Sequence, residues 1–244
     1  MKIATIGAEP EIFHSLQGEG LNAGLPTVFI RLSLCNLHCR WCDTPYTWNW
    51  EGASFDHPGP KFRKEAEVVN LTVAEILKLA LAFDCSYVSI TGGEPLLQQK
   101  ELASLAARLK RQRPQPNLEL ETNCTIRPSA ELDSFIDQYN VSPKLANSGI
   151  QDEDRIVGPV LRFFASTSKA NFKFVINDPN DITEVRDLQR RFDIPTESVF
   201  LMAQARDRKE LTERNTWLAR ACRDLGYRMS DRLQVQLFGA ERGR

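Results

Sequence analysis

Three cysteines lie close together in this sequence, at Cys35, Cys39 and Cys42. Three thiolates can bind three irons of a [4Fe–4S] cluster, which normally takes four cysteine ligands. The fourth iron then keeps an open coordination position, and an open position on a metal usually binds something reactive. The spacing therefore predicts a cluster that binds a small chelating molecule and passes it an electron.

Other interpretations of the cysteines stay open. They could belong to a zinc site with His38 as the fourth ligand, although His38 is adjacent to Cys39, which makes shared tetrahedral coordination awkward. They could also be buried apolar residues, which is how we interpret the isolated Cys85, Cys124 and Cys222. A disulfide framework is disfavoured, because the chain is long and we see no secretory pattern in it.

The composition narrows the function classes. The sequence has 244 residues with 31 Lys and Arg against 32 Asp and Glu, a net charge of −1. It therefore lacks the excess of basic residues that is typical of proteins that bind nucleic acid or an anionic membrane. No apolar run approaches the roughly 20 residues that a membrane helix needs. We expect a single domain over residues 1–244, in a reducing cytoplasm that suits free thiolates and iron–sulfur clusters.

Strand-like and helix-like segments alternate, which is typical of parallel strands with helical crossovers. About six such units are too few for a closed eight-unit barrel, so the pattern predicts an α/β fold, a partial (open) β/α barrel of about six parallel strands. The expected strands are 27–34, 86–91, 117–122, 140–143, 171–176 and 198–203, with a final edge strand at 233–237; the expected helices are 72–83, 98–113, 129–138, 181–192 and 208–225.

The candidate motifs come where expected strands end. The cysteine loop follows the first strand, residues 92–95 follow the second, residues 121–123 end the third and residues 142–144 end the fourth. In parallel α/β folds, ligands bind at the carboxyl ends of the strands, so all four motifs should lie together at that edge of the sheet. Residues of about 45–70 show no clear period, and we interpret them as an irregular insertion that covers the site.

The segment Gly92-Gly93-Glu94-Pro95 supports the same chemistry. Two glycines let the backbone come close to a ligand with free N–H groups, although a tight turn with a helix cap explains the segment equally well by itself. Together with the cysteines and Trp41, it resembles the radical S-adenosylmethionine (SAM) superfamily. That resemblance implies that Cys35, Cys39 and Cys42 hold a [4Fe–4S] cluster, that SAM chelates the fourth iron, and that one electron then generates an adenosyl radical.

Longer segments narrow the resemblance. The sequence is similar to the 7-carboxy-7-deazaguanine synthase family of queuosine (7-deazapurine) biosynthesis at residues 11–20, 24–32, 35–37, 41–44, 121–123, 142–144 and 230–234. This implies a lyase that contracts the ring of 6-carboxy-5,6,7,8-tetrahydropterin to give 7-carboxy-7-deazaguanine and ammonia. It also implies Mg²⁺, a homodimer and an electron donor such as flavodoxin or ferredoxin. Activases that act on protein partners share the cysteine spacing but lack the segment 17–20, and a non-enzymatic electron carrier or zinc protein would not bind SAM.

The resemblance also implies residue roles, with the adenosyl radical in place of a general acid or base. Arg31 would bind the substrate carboxylate through two parallel hydrogen bonds, and Thr44 would give Mg²⁺ a hard oxygen ligand with Asp43 beside it. From the residues alone, a strand-surface arginine and a turn at 43–45 are the plainer interpretations. The implied substrate contacts are Leu16, Gln17, Gly18, Glu19, Arg31 and Thr91; the implied SAM contacts are Gly92, Gly93, Glu94, Ser142, Pro143 and Lys144, with Gln204 a weaker candidate.

Overall fold

The computed structural model describes residues 1–55, 57–239 and 241–244, and in these the strands form one sheet. The strands are β1 (Lys2–Ile6), β2 (Glu9–Pro10), β3 (Ile12–Leu16), β4 (Pro26–Leu32), β5 (Val68–Asn70), β6 (Tyr87–Gly92), β7 (Asn117–Thr122), β8 (Gln138–Val141), β9 (Ala170–Ile176), β10 (Val199–Ala203) and β11 (Arg228–Ser230). Their order is β11-β10-β9-β8-β7-β6-β4-β1-β2, with β3 beside β4 and β5 beside β1.

The strands from β4 to β11 in this order are all parallel, whereas β1, β2, β3 and β5 pair antiparallel. The expected open α/β sheet is therefore confirmed. Strand β10 is buried along its whole length, as is usual for a parallel strand that is covered on both faces. No helix in the described part of the chain is long and apolar enough to cross a membrane.

The helices agree with the sequence where caps or periodicity are strong. The helix expected over 72–83 begins with a capping box, because Glu75 N–H donates to Thr72 Oγ1 at 3.2 Å and Thr72 N–H donates to Glu75 Oε2 at 2.7 Å. The helices are α1 (Lys64–Glu67), α2 (Val73–Ala80), α3 (Gln99–Leu109), α4 (Ala130–Asp133), α5 (Asp152–Arg155), α6 (Gly158–Ala165), α7 (Asp181–Phe192), α8 (Arg208–Leu225) and α9 (Leu233–Phe238).

Three expectations about elements are wrong. The segment 233–237 is helical in α9, and the edge strand is β11, which pairs parallel with β10. The helix expected over 129–138 ends at Asp133, because residues from Gln138 onward join the sheet as β8. The stretch 45–70 is not irregular throughout, since it contains α1 and the strand β5, which pairs with β1.

The antiparallel strand β3 determines where the next loop goes. Strand β3 pairs with β4 from Ile12↔Ile30 to Leu16↔Pro26, so the chain leaves it beside the first residue of β4. Residues 17–25 then cross the sheet: Asn22 Nδ2 donates to Glu119 Oε2 of β7 at 2.9 Å, and Glu19 pairs with Lys173 of β9. The predicted substrate-binding loop therefore reaches several parallel strands at once.

Candidate active site

A single cavity of about 510 Å³ contains most of the residues that the sequence singled out. Glu94 and Pro143, two predicted SAM contacts, are not among the described residues that line this cavity. The predicted residues that do line it are Leu16, Gln17, Gly18, Glu19, Arg31, Cys35, Cys39, Cys42, Thr44, Thr91, Gly92, Gly93, Ser142 and Lys144.

The three cysteines of the loop are free thiols on the cavity wall. Burial raises the pKa of all three thiols, that of Cys39 to about 11, so the apoprotein holds them protonated and bound iron would make them thiolates. Outside positions 56 and 240, no three His, Cys, Asp or Glu side chains converge as ligands of a single metal ion. A cluster needs no such convergence, because each thiolate binds a different iron.

His38 is engaged elsewhere than at the cysteine sulfurs. Its ring stacks on Phe55 with centroids 3.4 Å apart and lies 4.8 Å from the ring of Trp48. The zinc alternative needed His38 as a fourth ligand, and these contacts give its ring an aromatic packing role.

The glycine pair packs directly against the cysteine loop. Gly93 N–H donates to Leu32 O at 3.1 Å, and Glu94 N–H donates to Leu34 O at 2.8 Å. A Cβ on Gly93 would lie 2.0 Å from Leu34 O, so only glycine allows this approach. For Gly93 the expectation of a free N–H group is wrong, because Gly93 approaches the backbone that precedes Cys35 and not a ligand.

Glu94 connects the glycine segment to the end of β7 through buried hydrogen bonds. It is fully buried, and its carboxylate accepts hydrogen bonds from Leu96 N–H at 3.0 Å, Thr122 Oγ1 at 3.0 Å and Asn123 N–H at 2.7 Å. Burial raises the pKa of Glu94 to about 7 although these donors oppose the shift. Asn123 in turn donates to Asn36 Oδ1 at 2.9 Å, which ties the end of β7 to the cysteine loop.

Residues after β8 hold the other side of the loop. Lys144 Nζ donates to Ser142 Oγ at 2.8 Å and lies 5.7 Å from the centroid of the Trp41 ring. The indole N–H of Trp41 donates to Asn147 O at 3.0 Å. The predicted SAM contacts Ser142 and Lys144 therefore lie beside the cysteines with their polar groups at the cavity.

Glu19 lies in a network of opposite charges at the cavity wall. It forms an ion pair with Lys173, another with Arg232 at 3.3 Å, and accepts from Gln234 Nε2 at 2.5 Å. Burial disfavours the charged carboxylate, but the two cations overcome it and hold the pKa of Glu19 at about 2. Glu19 is therefore a permanent anion at neutral pH.

Two other predicted substrate contacts already have protein partners. Gln17 is buried, its Nε2 donates to Glu119 Oε1, and its Oε1 accepts from Glu19 N–H at 3.2 Å. Thr91 donates its hydroxyl to Glu121 Oε2 at 2.9 Å, which leaves its oxygen lone pairs as acceptors. These contacts shape the loop and the cavity, and direct substrate contact by either side chain stays a prediction.

Thr44 has a hydroxyl that helix capping does not use. It is the N-cap of the short 3-10 turn Pro45–Thr47, but its side chain makes no cap hydrogen bond. Its Oγ1 lies 3.7 Å from Cys42 Sγ, so a cation at Thr44 would sit close to the cluster ligand. The neighbouring Asp43 pairs with Arg232, which connects this corner to the Glu19 network.

The sequence reasoning missed several residues of the cavity wall. Lys173 gave a signal, since it is a lysine inside the apolar strand β9, and Arg232 belongs to the segment 230–234 that supported the family resemblance. Arg242 gave none, yet it lies over the Tyr46 ring at 3.4 Å. Gln204 lines a second cavity of about 470 Å³, where it accepts from Arg214 Nη1 at 2.7 Å.

Comparisons with known proteins agree with this geometry. The model of the radical SAM superfamily matches residues 30–153. A 7-carboxy-7-deazaguanine synthase from Pyrobaculum aerophilum is 39% identical over 238 residues, which cover 96% of this chain and 96% of that protein. The chain belongs to the 7-carboxy-7-deazaguanine synthase family. Further family members are those of Rhodopirellula baltica, 30% identical over 96% of this chain and 87% of that protein, and Halobacterium salinarum, 32% identical over 93% and 89%.

Solved structures support the fold of this family. The crystal structure of QueE from Escherichia coli superposes with a TM-score of 0.66 at 23% identity and covers 95% of this chain and 94% of that one. Streptococcus suis SuiB bound to S-adenosylmethionine superposes with a TM-score of 0.51 at 15% identity, over 81% of this chain and 48% of that one. As a radical SAM enzyme of this family, the protein uses a [4Fe–4S] cluster, SAM and Mg²⁺. The residues that bind them remain predictions.

Proposed function

We propose that the protein converts 6-carboxy-5,6,7,8-tetrahydropterin into 7-carboxy-7-deazaguanine with release of ammonia, in queuosine (7-deazapurine) biosynthesis. One observation carries the proposal: the three cysteines share a cavity with a cation for a carboxylate and a permanent anion for a pterin edge. The similarity to the 7-carboxy-7-deazaguanine synthase of Pyrobaculum aerophilum, which extends over 96% of the chain, supports the same activity.

Arg31 is proposed to bind the carboxylate of the substrate. Its Nε is held by Glu11 Oε1 at 2.6 Å, and its two terminal nitrogens have no side-chain partner among the described residues. A guanidinium whose orientation is fixed in this way can give a carboxylate two further charge-assisted hydrogen bonds. Glu11 therefore fixes the direction in which Arg31 would hold the substrate carboxylate.

The opposite wall suits the donor-rich edge of the pterin. Glu19 supplies a fixed negative charge, and the Oε1 of Gln234 is buried without a hydrogen-bond partner among the described residues. A buried acceptor without a donor is costly, so a ligand N–H that reaches it would be favoured. We propose that Glu19 and Gln234 accept from the guanidine-like pterin N–H groups, while the backbone of Leu16 and Gly18 lines the same wall.

Cys35, Cys39 and Cys42 are proposed as the cluster ligands, and Gly93, Ser142 and Lys144 as SAM contacts. The donor set fits a cluster with one iron open, because three thiols and no fourth cysteine line the described cavity wall. When bound, the cluster would supply one electron to SAM, which is the radical chemistry that the proposed ring contraction needs. Cys39 is buried, and the packed glycine pair fixes the backbone that leads into the cysteine loop.

The Thr44 hydroxyl is proposed as the protein ligand of Mg²⁺. Magnesium prefers hard oxygen donors, keeps several waters, and bridges to substrate oxygens. Thr44, whose hydroxyl makes no helix-capping hydrogen bond, lines the same cavity as Arg31. A cation bound there can neutralise the negative charge of the substrate carboxylate, and no protein carboxylate is needed as a ligand.

We further propose a cytoplasmic homodimer that receives electrons from a flavodoxin or ferredoxin. Free cysteines suit a reducing compartment, and a radical enzyme of this type needs a one-electron donor. The function is tested by incubating the anaerobically reconstituted protein with the carboxypterin, SAM, Mg²⁺ and dithionite, followed by mass detection of the deazapurine. If the protein assembles the cluster and binds SAM but makes no deazapurine, the proposed activity is contradicted. Its membership of the radical SAM superfamily is not.

A further inference from the structure

We propose that Trp48 is a positioning residue whose indole N–H bonds to the cluster ligand Cys42 and raises the reduction potential of the cluster. The inference rests on the proposed cluster function, but it concerns a residue for which no role follows from the cysteine motif itself. Trp48 lies in the stretch 45–70, for which the sequence alone predicts only an insertion that covers the site.

The contact is specific in its geometry. The Nε1–H of Trp48 points to Cys42 Sγ at 3.4 Å, and only 2% of the Trp48 side chain is exposed. An indole N–H is a donor only, and a buried one needs an acceptor. Sulfur is a weak acceptor as a thiol, but a strong one as an iron-bound thiolate, so the bond gains strength when the cluster is present.

Aromatic rings hold the indole in place. His38, Phe55 and His57 surround Trp48, and we call these four residues the aromatic cap. The ring of His57 meets Trp48 edge-on at 5.4 Å and 88°, and that of Phe55 at 5.9 Å and 73°. Such packing leaves the indole little freedom, so the N–H direction is set before the cluster binds.

Hydrogen bonds stabilise the segment that carries Trp48, Phe55 and His57, three of the four residues of the aromatic cap. Lys61 Nζ donates to Asn49 Oδ1 at 2.7 Å and to Phe55 O at 2.9 Å. Asn49 Nδ2 donates to Pro60 O at 2.9 Å, and Asn49 is fully buried. The described residues of the stretch 45–70 therefore form a folded support for Trp48 and not only a cover.

The physical consequence is a shift of the reduction potential. Hydrogen bonds to the sulfurs are among the features that set the potential of an iron–sulfur cluster. Reduction adds negative charge to the cluster and its thiolates, and an N–H that points at a sulfur stabilises that charge. Trp48 should therefore make the first electron easier to accept.

Trp50 supplies a matched control in the same segment. Its Nε1–H donates to the backbone oxygen of Tyr46 at 3.0 Å, so it has the same donor group but a partner other than sulfur. Replacing Trp50 by phenylalanine removes an equivalent N–H from the insertion without touching a cluster ligand. Any effect on the potential that is common to both variants would reflect the fold of the insertion.

The test is a redox titration of the reconstituted cluster, monitored by electron paramagnetic resonance, in wild type, Trp48→Phe and Trp50→Phe. We expect full iron content in all three, a more negative midpoint potential in Trp48→Phe, and an unchanged potential in Trp50→Phe. Incorporation of β-(3-benzothienyl)alanine at position 48 keeps the shape of indole but replaces its N–H by sulfur, so it separates the hydrogen bond from packing and water exclusion.

The outcomes are distinguishable from failure of the proposed function. An unshifted potential in the benzothienyl variant, with a normal wild-type cluster, would overturn this inference alone. A wild-type protein that assembles no SAM-binding cluster would overturn the proposed function and this inference with it. If Trp48→Phe fails to hold iron, the benzothienyl variant still decides, because its shape is that of tryptophan.

Discussion

Glu11 holds the guanidinium of Arg31 on the cavity wall through an Nε–Oε1 ion pair of 2.6 Å. The Glu11 side chain is only 1% exposed, and the same carboxylate oxygen accepts from the hydroxyl of Tyr46 at 3.1 Å. A buried carboxylate with these two partners cannot rotate freely, so it presents Arg31 in one orientation. The strand register supports this, because Arg31 N–H also donates to Glu11 O at 3.1 Å.

The first prediction concerns substrate binding by Arg31. Arg31→Lys keeps the charge but loses the two parallel hydrogen bonds, which should raise the KM for the carboxypterin by about 10- to 100-fold, corresponding to about 1.5–3 kcal/mol. Steady-state kinetics measures this, and SAM affinity serves as the control because Arg31 is not among the proposed SAM contacts. An unchanged KM would show that the carboxylate binds elsewhere.

The second prediction concerns Glu19 and pH. The pKa of Glu19 is lowered from 4.5 to about 2, so its ion pairs contribute stability that is present above pH 4.5 and lost as pH falls toward 2. Glu19→Gln should lower the free energy of unfolding of the apoprotein at pH 7 by about 3 kcal/mol, because two buried cations lose their charged partner. Denaturant titrations at several pH values should show this difference narrowing below pH 4.5.

Glu153→Gln is the matched control for Glu19. Glu153 is an exposed carboxylate at the start of α5, and its loss should change stability by no more than about 0.5 kcal/mol. If the two variants lose equal stability, or the Glu19 effect does not vary with pH, the charge network does not operate as described.

Some of this site could be predicted from the sequence and some could not. The cysteines and the glycine pair each follow an apolar strand. Since the carboxyl ends of parallel strands lie at the same edge of a sheet, the sequence predicts that these motifs come together. The pair Lys173–Glu19 joins residues 154 positions apart, and no local pattern specifies which carboxylate a strand lysine will meet. The same limit hid Arg242, whose contact with Tyr46 depends on the path of the chain after α9.

The elements show a similar division. The bounds of β7, α7 and α8 agree with the expected residues, since periodicity and end signals act within those segments. Leu233 to Leu237 alternates apolar and polar residues, which favours a strand, yet the segment follows β11 as the helix α9. Strand β5 is decided by its antiparallel pairing with β1, which the sequence of residues 45–70 does not indicate.

The third prediction concerns the glycine pair. In Gly93→Ala the new Cβ would lie 2.0 Å from Leu34 O, a backbone atom that cannot move without displacing Cys35. We expect a loss of about 1–3 kcal/mol in stability and a reduced iron content after reconstitution. Gly158→Ala is the control, because its nearest neighbour is the ring of Phe192 at 3.3 Å, which can shift. Normal iron loading in Gly93→Ala would contradict the packing role.

The fourth prediction concerns magnesium. Thr44→Val removes the hydroxyl that caps nothing, and should raise the Mg²⁺ concentration for half-maximal activity by about tenfold, since one coordinated oxygen is worth about 1.4 kcal/mol or more. Thr44→Ser should restore the wild-type Mg²⁺ dependence. The cluster spectrum checks that Cys42 is undisturbed, and an identical Mg²⁺ dependence in the valine variant would place the cation elsewhere.

The central claim is that three cysteines leave one iron open for SAM beside a site for a carboxypterin. The most direct measurement combines anaerobic wild-type protein with 6-carboxy-5,6,7,8-tetrahydropterin, SAM, Mg²⁺ and a reductant, and follows the products by mass spectrometry, with Cys39→Ala in parallel. The account predicts 7-carboxy-7-deazaguanine and ammonia in excess of the SAM supplied from the wild type, and none from Cys39→Ala. A wild-type protein with an intact cluster and bound SAM that leaves the pterin unchanged would contradict it.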